Sequence, residues 1–350
     1  MHSKQRIPIS NFSRSGNQIY FVSSEINLIC SMNIETFEVN FIPGPPNEIF
    51  YEATLYGDIK ICGAHIVLVP YNAKKIWRYD MADEKWESIV PEILEENIRG
   101  AFSGAEVKGS KLYVFGFNYP NIVCIDLKTL IWHEVLTSNH ELGKTCFGFG
   151  GYTRKDDILY LVNQGTEYIL RLDLNSEKYD WIKLEHSGGF LSITYDDENF
   201  WMVSDYGSNG KKLTKWNEDN GTIATFDGMI DGMIAGVTLL QDNILIYGPY
   251  GSTCIFNKEK SGFEDININK NIAYAKEISK GVTLICNMNG EEIFFYTDDQ
   301  KEFSIDISKE VLCEFKKRLN IIMPDLLIEG HIFNLQCFLE HLCVNGISGK

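Results

Sequence analysis

The residues best suited to chemistry are scattered along the chain. Histidines stand at His2, His65, His133, His140, His186, His331 and His341, and none forms a close pair with another. His140-Glu141 begins the two-histidine zinc pattern, but Lys144 occupies the place of the second histidine. Asp196-Asp197-Glu198-Asn199 has the carboxylate density of a calcium loop. It has equally the composition of a polar hairpin turn. Nucleophile-elbow, dinucleotide-binding and phosphate-loop patterns are absent. A site built from distant loops needs no local motif, so an enzyme is not excluded. No catalytic residue, metal site or cofactor is assigned.

The nine cysteines are dispersed, odd in number and never spaced CxxC. Several close apolar segments, as in Asn27-Leu28-Ile29-Cys30 and Thr283-Leu284-Ile285-Cys286. Thiols of this kind behave as small core residues in a reducing compartment, so a cytoplasmic location is expected.

A second set of residues is aromatic and amide. It comprises Tyr71-Asn72, Phe117-Asn118-Tyr119, Asn163-Gln164, Asp205-Tyr206, Tyr250 and Asn287-Met288-Asn289. Aromatic faces with amide donors and acceptors suit sugar rings or extended peptides. The same residue types are ordinary in turns. Arg99, in Asn97-Ile98-Arg99-Gly100, could hold a carboxylate bidentately or stand solvated in a loop. Such residues become a site only if the fold gathers them.

The 350-residue chain carries 48 acidic and 32 basic residues, a formal charge of -16. A phosphate-tracking surface needs clustered Lys and Arg, and no cluster is longer than Lys316-Lys317-Arg318. Nucleic acid and anionic membrane are therefore not expected as partners. No apolar run is long enough to span a bilayer, and none follows Met1 to Arg6 as a secretory signal would require.

The elements that would position these residues recur. The third copy is the clearest: Phe102-Ser-Gly-Ala-Glu-Val, then Lys111-Leu-Tyr-Val-Phe-Gly, then Asn121-Ile-Val-Cys-Ile-Asp126, then a strand opening with Trp132. Mid-second-strand positions are Tyr20, Val67, Tyr113, Tyr160, Trp201, Leu245 and Thr283. Third strands end at Asn33, Asp80, Asp126, Asp173, Asn217, Asn257 and Thr297. Fourth strands open with Phe37, Trp86, Trp132, Trp181, Ile223, Phe263 and Phe303. The period is about 44 residues, in the range of propeller blades rather than shorter helical repeats. Asp or Asn starts a tight turn by bonding the backbone two residues on. Aromatic and β-branched residues suit half-buried strands. Four short strands cannot bury both faces alone, and radial packing of such sheets solves this.

With the Leu112-Tyr-Val-Phe-Gly116 strand, the Ile125-Asp126 strand and Trp132 in that order, the chain resembles a divergent kelch-like β-propeller of the galactose-oxidase central-domain type. The family's glycine pair after the second strand is reduced to one, as at Gly116 or Gly248, or is absent. The resemblance implies a fold, not a function. No residues match the copper site that oxidase members of that superfamily build from Tyr, Cys and His. The expected architecture is all-β: a seven-bladed β-propeller of four-stranded antiparallel blades over 7–307, with a helical tail over 308–350. Each end contributes a complete blade, so the seam is expected to rest on side-chain packing. In the tail, Val311, Leu312, Phe315 and Leu319 share one helical stripe, and Ile332, Leu335, Phe338, Leu339 and Leu342 share another. These faces pack on the propeller or dock a partner.

Propeller ligands usually meet the face formed by the loops between second and third strands and the loops between blades. Tyr71, Asn72, Arg99, Asn118, Tyr119, Gln164, Asp205, Tyr206 and Tyr250 are the expected ligand-binding residues there. The leading expectation is a non-catalytic binding scaffold for a protein segment or glycan. The alternative is an enzyme acting on a carbohydrate or small acid at the channel mouth, with Arg99, His140 and Asp205 converging.

Overall fold

The second strands are apolar at consecutive positions, as in Ile66, Val67, Leu68 and Val69. A strand of that kind is satisfied only when both its faces are buried. The computed structural model of the protein shows how this is met. It describes residues 9–304, apart from 24–26, 28, 37–38, 47–54, 90–99, 117, 120, 137–147, 185–187, 205–210, 222, 230–231, 249–252, 266–271, 288–292, 297–299 and 300–301. Among the described residues, strands form seven four-stranded antiparallel sheets, each from four strands consecutive in the chain. Their first strands are Ile9–Ser15, Tyr56–Cys62, Phe102–Lys108, Phe149–Lys155, Phe190–Tyr195, Gly236–Leu240 and Ile272–Ser279. The expected tail over 308–350 lies outside the described residues.

The alternation of a strand divides the core between neighbours. Ile66 and Leu68 of the second sheet pack with Val22 and Ile29 of the first. Val67 and Val69, on the opposite face, pack with Leu112 and Val114 of the third. Tyr113 and Phe115 of the third sheet in turn meet Leu159 and Leu161 of the fourth. The same division continues between later pairs of sheets. Each such side chain gains about 1.5–3 kcal/mol from burial. The hydrophobic core is thus a series of small inter-sheet layers.

The first strands neighbour one another in chain order, and the last meets the first. At that seam Phe12 meets Tyr274 edge-on with ring centroids 5.5 Å apart, and Arg14 donates to the carbonyl of Ile278 at 3.1 Å. Among the described residues, neither terminal sheet borrows a strand from the other end of the chain. Side chains therefore hold the seam.

First strands pair on only one side, so their other edge carries backbone groups without a ladder partner. Short polar side chains from the preceding sheet supply the missing bonds. Ser13 accepts from the Ile61 amide at 3.2 Å, Asp58 from Ala105 at 3.0 Å and Ser192 from Val237 at 3.3 Å. Thr238 accepts from Glu277 at 3.2 Å, and Ser103 donates to the Phe149 carbonyl at 3.1 Å. Gly57 permits the close approach, since a Cβ there would lie 2.3 Å from the Phe102 carbonyl oxygen.

The recurring Asp or Asn does what its chemistry demands. Asn33, Asp80, Asp126 and Asp173 each accept two backbone amides of the following turn. Asn217 and Asn257 accept one each, three residues on. These amides hold the Asp80, Asp126 and Asp173 carboxyls below the usual carboxylate range. Thr297 lies outside the described residues. The fourth-strand aromatics stitch strands and sheets: Trp86 donates to the Pro43 carbonyl at 2.8 Å, and Trp181 stacks near Phe149 with centroids 6.2 Å apart.

Candidate functional site

Three of the nine expected ligand residues meet at one glycine. Gly100 has φ +66°, a left-handed backbone that glycine adopts without strain. Its amide donates to Asn72 Oδ1 at 3.1 Å. A Cβ on Gly100 would lie 2.9 Å from the Asn118 side-chain nitrogen and 3.2 Å from the Tyr71 ring. Backbone bonds fix the arrangement, with the Ala101 amide donating to the Tyr71 carbonyl at 2.8 Å and the Asn118 amide to Gly100 at 3.0 Å. Asn118 is exposed, and Tyr71 and Asn72 are half-buried. The loops of two neighbouring sheets thus present a phenol and two amides on one surface.

Tyr119 points elsewhere. It is 7% exposed, packs in the layer between second and third sheets, and meets Phe102 with centroids 5.2 Å apart. Its hydroxyl donates to Glu134 at 2.6 Å. Burial first, then the Glu134 carboxylate, pushes its pKa above the usual phenol value. Gln164 is half-buried in the fourth sheet and lies against Gly150, remote in chain from the Gly100 group. Arg99, Asp205, Tyr206 and Tyr250 lie outside the described residues, as do Phe117, Met288, Asn289 and His140.

A second gathering was not anticipated. The first strands line a central cavity of about 500 Å³, bordered among others by Ser103, Glu106, Tyr152, Thr194, Tyr274 and Lys276. None of the five described loop residues lines it. Beside it, Asp58 and Lys60 form an ion pair at 2.7 Å, their side chains 1% and 8% exposed. Lys60 donates to the Tyr152 hydroxyl at 2.9 Å, and that hydroxyl donates to Asp58 at 3.3 Å. Lys60 and Lys276 both approach the Tyr152 ring, at 5.6 and 5.8 Å from its centroid. Burial would lower the pKa of Lys60, but the charges of Asp58 and Glu106 carry it above the ordinary lysine value. Lys276 moves the other way, down to about 8, because burial and the Lys60 charge outweigh Asp58 and Glu106. Burial and nearby charges raise Tyr152 and Tyr274 well above the usual phenol value. The sequence signal was present in the polar residues Asp58, Lys60, Glu106 and Lys276 of strands read as scaffold.

A third group unites Cys124, His133 and Glu177, whose ligand atoms lie within 4.8 Å of one another. No metal was expected from sequence, and the chemistry here fits an inter-sheet latch. Glu177 Oε1 accepts from Lys111 at 2.6 Å and Tyr113 at 3.3 Å, and Oε2 lies 2.6 Å from His133 Nε2. Burial would raise Glu177, but these partners bring it down to about 2. Burial, then Glu177, pushes the Cys124 thiol up to about 12. One sheet on, Glu218 accepts from Tyr160 at 2.6 Å, Lys155 at 3.2 Å and Arg171 at 2.9 Å. That equivalent carboxylate does the same job with no Cys or His in the cluster.

No protein-family model matches the sequence, and neither does any curated protein. Solved structures do match in fold. A catalytically inactive virginiamycin B lyase from Staphylococcus aureus, solved with quinupristin, superposes with TM-score 0.62 at 14% identity, covering 84% of this chain and 95% of the lyase. The Cps50 (Swd1) β-propeller domain of Myceliophthora thermophila gives 0.60 at 9% identity, covering 85% and 98%. U3-55K gives 0.58 at 11% identity, covering 81% and 89%. The protein has a β-propeller fold. Among its described residues no helix is long and apolar enough to cross a membrane.

Proposed function

We propose that the chain is a seven-bladed, kelch-like propeller acting as a binding scaffold, whose loop face recognises a protein segment or a glycan. The observation that carries this reading is the convergence of Tyr71, Asn72 and Asn118 around Gly100. A half-buried phenol beside one half-buried and one exposed amide offers a stacking face and directional polar contacts without a reactive group. Arg99, next in chain to Gly100, and Asp205, Tyr206 and Tyr250 extend that face in this reading. The propeller occupies 7–307 and the tail 308–350 packs on it or docks a partner. The free thiols Cys30, Cys62, Cys124, Cys254 and Cys286 accord with a reducing, cytoplasmic setting.

The structural neighbours include a chain of the mitotic checkpoint complex, which accords with a scaffold, and a lyase, which accords with the alternative. The alternative, an enzyme acting on a carbohydrate or small acid, draws on the ionisable groups at the central cavity. Against it, Asp58 is committed to Lys60 and the Ala105 amide, and both tyrosines are held as neutral phenols.

The test replaces Tyr71 and Asn118 together with Ala. Both side chains lie at the surface end of their sheets, so the melting temperature should move little. Glycan-array binding or recovery of a partner by pull-down, seen with the wild-type chain, should be lost. Unchanged recovery on both assays refutes the loop-face assignment.

A further inference from the structure

We propose that the central cavity binds a small hydroxylated carboxylate, a sugar acid or hydroxy acid, with the ammonium of Lys276 as its anchor. The inference stands apart from the loop-face reading, because none of the described loop residues lines this cavity.

The basis is which charged side chains around the cavity have a partner. Lys60 is matched by Asp58 at 2.7 Å. Arg154 is matched by Glu106 at 3.0 Å and Asp157 at 3.1 Å. Glu277, which also lines the cavity, accepts the Gly281 amide in its own hairpin at 3.0 Å and keeps its negative charge. Lys276 has no hydrogen-bond or ion-pair partner among the described residues, and the Tyr152 ring is the group it approaches. An unmatched cation lining a cavity costs free energy that a bound anion recovers, more so where the surroundings are less polarisable than water.

Glu106 and Glu277 also line the cavity, so a single negative charge is the most that Lys276 would hold there. A phosphate dianion would place its second charge near Asp58 and Glu106, whose fields reach Lys276. The rest of the wall suits hydroxyl groups. Ser103, Ser192, Thr153, Thr194 and Thr238 border the cavity, and each hydroxyl can both donate and accept. The phenol ring of Tyr274 borders the cavity and is a flat apolar group of the kind that stacks on a sugar ring. A volume of about 500 Å³ is ample for a six-carbon acid.

The charge of Lys276 also fixes how binding responds to pH. The groups acting on it are Lys60, Asp58 and Glu106, with Tyr152, Tyr274, Arg154 and Glu277 alongside on the cavity wall. Lys60 is held above the ordinary lysine value and both phenols stay neutral, so Lys276, near 8, is the first of them to lose charge as pH rises from neutrality. Binding should therefore weaken from pH 7 to pH 10.

The full chain is titrated calorimetrically with lactate, gluconate and galacturonate, and with neutral sorbitol as control. At least one acid should bind at millimolar concentration or tighter at neutral pH, and sorbitol should not. Binding should weaken at least tenfold at pH 10 and in Lys276→Gln. Lys276→Arg, which keeps the charge, should retain it, and Tyr71→Ala should leave it unchanged. Lys276→Gln removes an unmatched charge, so thermal melting should show it folded. Failure of all three acids to bind, equal binding of sorbitol, or binding that survives Lys276→Gln overturns the proposal. Loss of binding in Tyr71→Ala overturns the placement in the cavity.

Discussion

Replacing Asp58 with Ala should destabilise the protein by about 4 kcal/mol. The carboxylate serves four partners at once: the Lys60 ammonium at 2.7 Å, the Ile59 amide at 2.8 Å, the Ala105 amide at 3.0 Å and the Tyr152 hydroxyl at 3.3 Å. Its removal strands a lysine side chain that is 8% exposed. Breaking one side of a buried ion pair costs about 3–5 kcal/mol, and an orphaned buried amide about 1–3 kcal/mol. The two overlap because they share one group, so the sum is not taken. Neighbouring sheets lose a direct link as well, since Asp58 and Ala105 belong to the first strands of different sheets. Urea unfolding, followed by tryptophan fluorescence and circular dichroism together, measures the change. The pair Asp58→Asn with Lys60→Met supplies the control. Met removes the stranded charge and Asn keeps an acceptor for one of the two amides, Ile59 or Ala105, so this variant should recover part of the loss and fall short of the wild type by about 1–3 kcal/mol. A loss below about 1 kcal/mol in Asp58→Ala, or a double variant as unstable as the single one, refutes the reasoning.

Glu177 should give the fold an acid-sensitive step. Its pKa is about 2 in the folded chain and near the ordinary glutamate value when unfolded, so its stabilisation is complete above that ordinary value and is lost as pH falls through about 2. Stability measured against pH should show a shallower acid limb in Glu177→Gln, and an unchanged slope counts against the latch. Gly57→Ala should cost about 1–3 kcal/mol, because its Cβ would meet the Phe102 carbonyl oxygen at 2.3 Å and the adjoining strands must part. Thermal melting reads that loss, and a melting temperature equal to the wild type's would show the strands to be less closely packed.

Much of the fold was legible in the sequence because its cause is local. Asp126 followed three residues later by Thr129 is a turn wherever it stands, since the carboxylate reaches the Lys128 and Thr129 amides without help from the rest of the chain. Ile66 to Val69 announce a strand buried on both faces because their spacing leaves no face for water. The grouping of Tyr71, Asn72 and Asn118 was readable through the repeat, which puts equivalent loops side by side. Tyr119 was not. An aromatic in a loop can lay its ring on a core and keep its hydroxyl on a carboxylate, and sequence does not say which way it turns.

The sequence by itself determined the period, the order of strands within each sheet and the turns that join them. Each of these follows from residues a few positions apart. Only the tertiary structure decided that Asp58, Lys60, Tyr152 and Lys276 meet, because they come from three first strands, the second, fourth and seventh, of separate sheets. A strand's alternation says which residues share its face. Closing the sheets around an axis says which faces share a centre, and there Lys276 comes to face the Tyr152 ring.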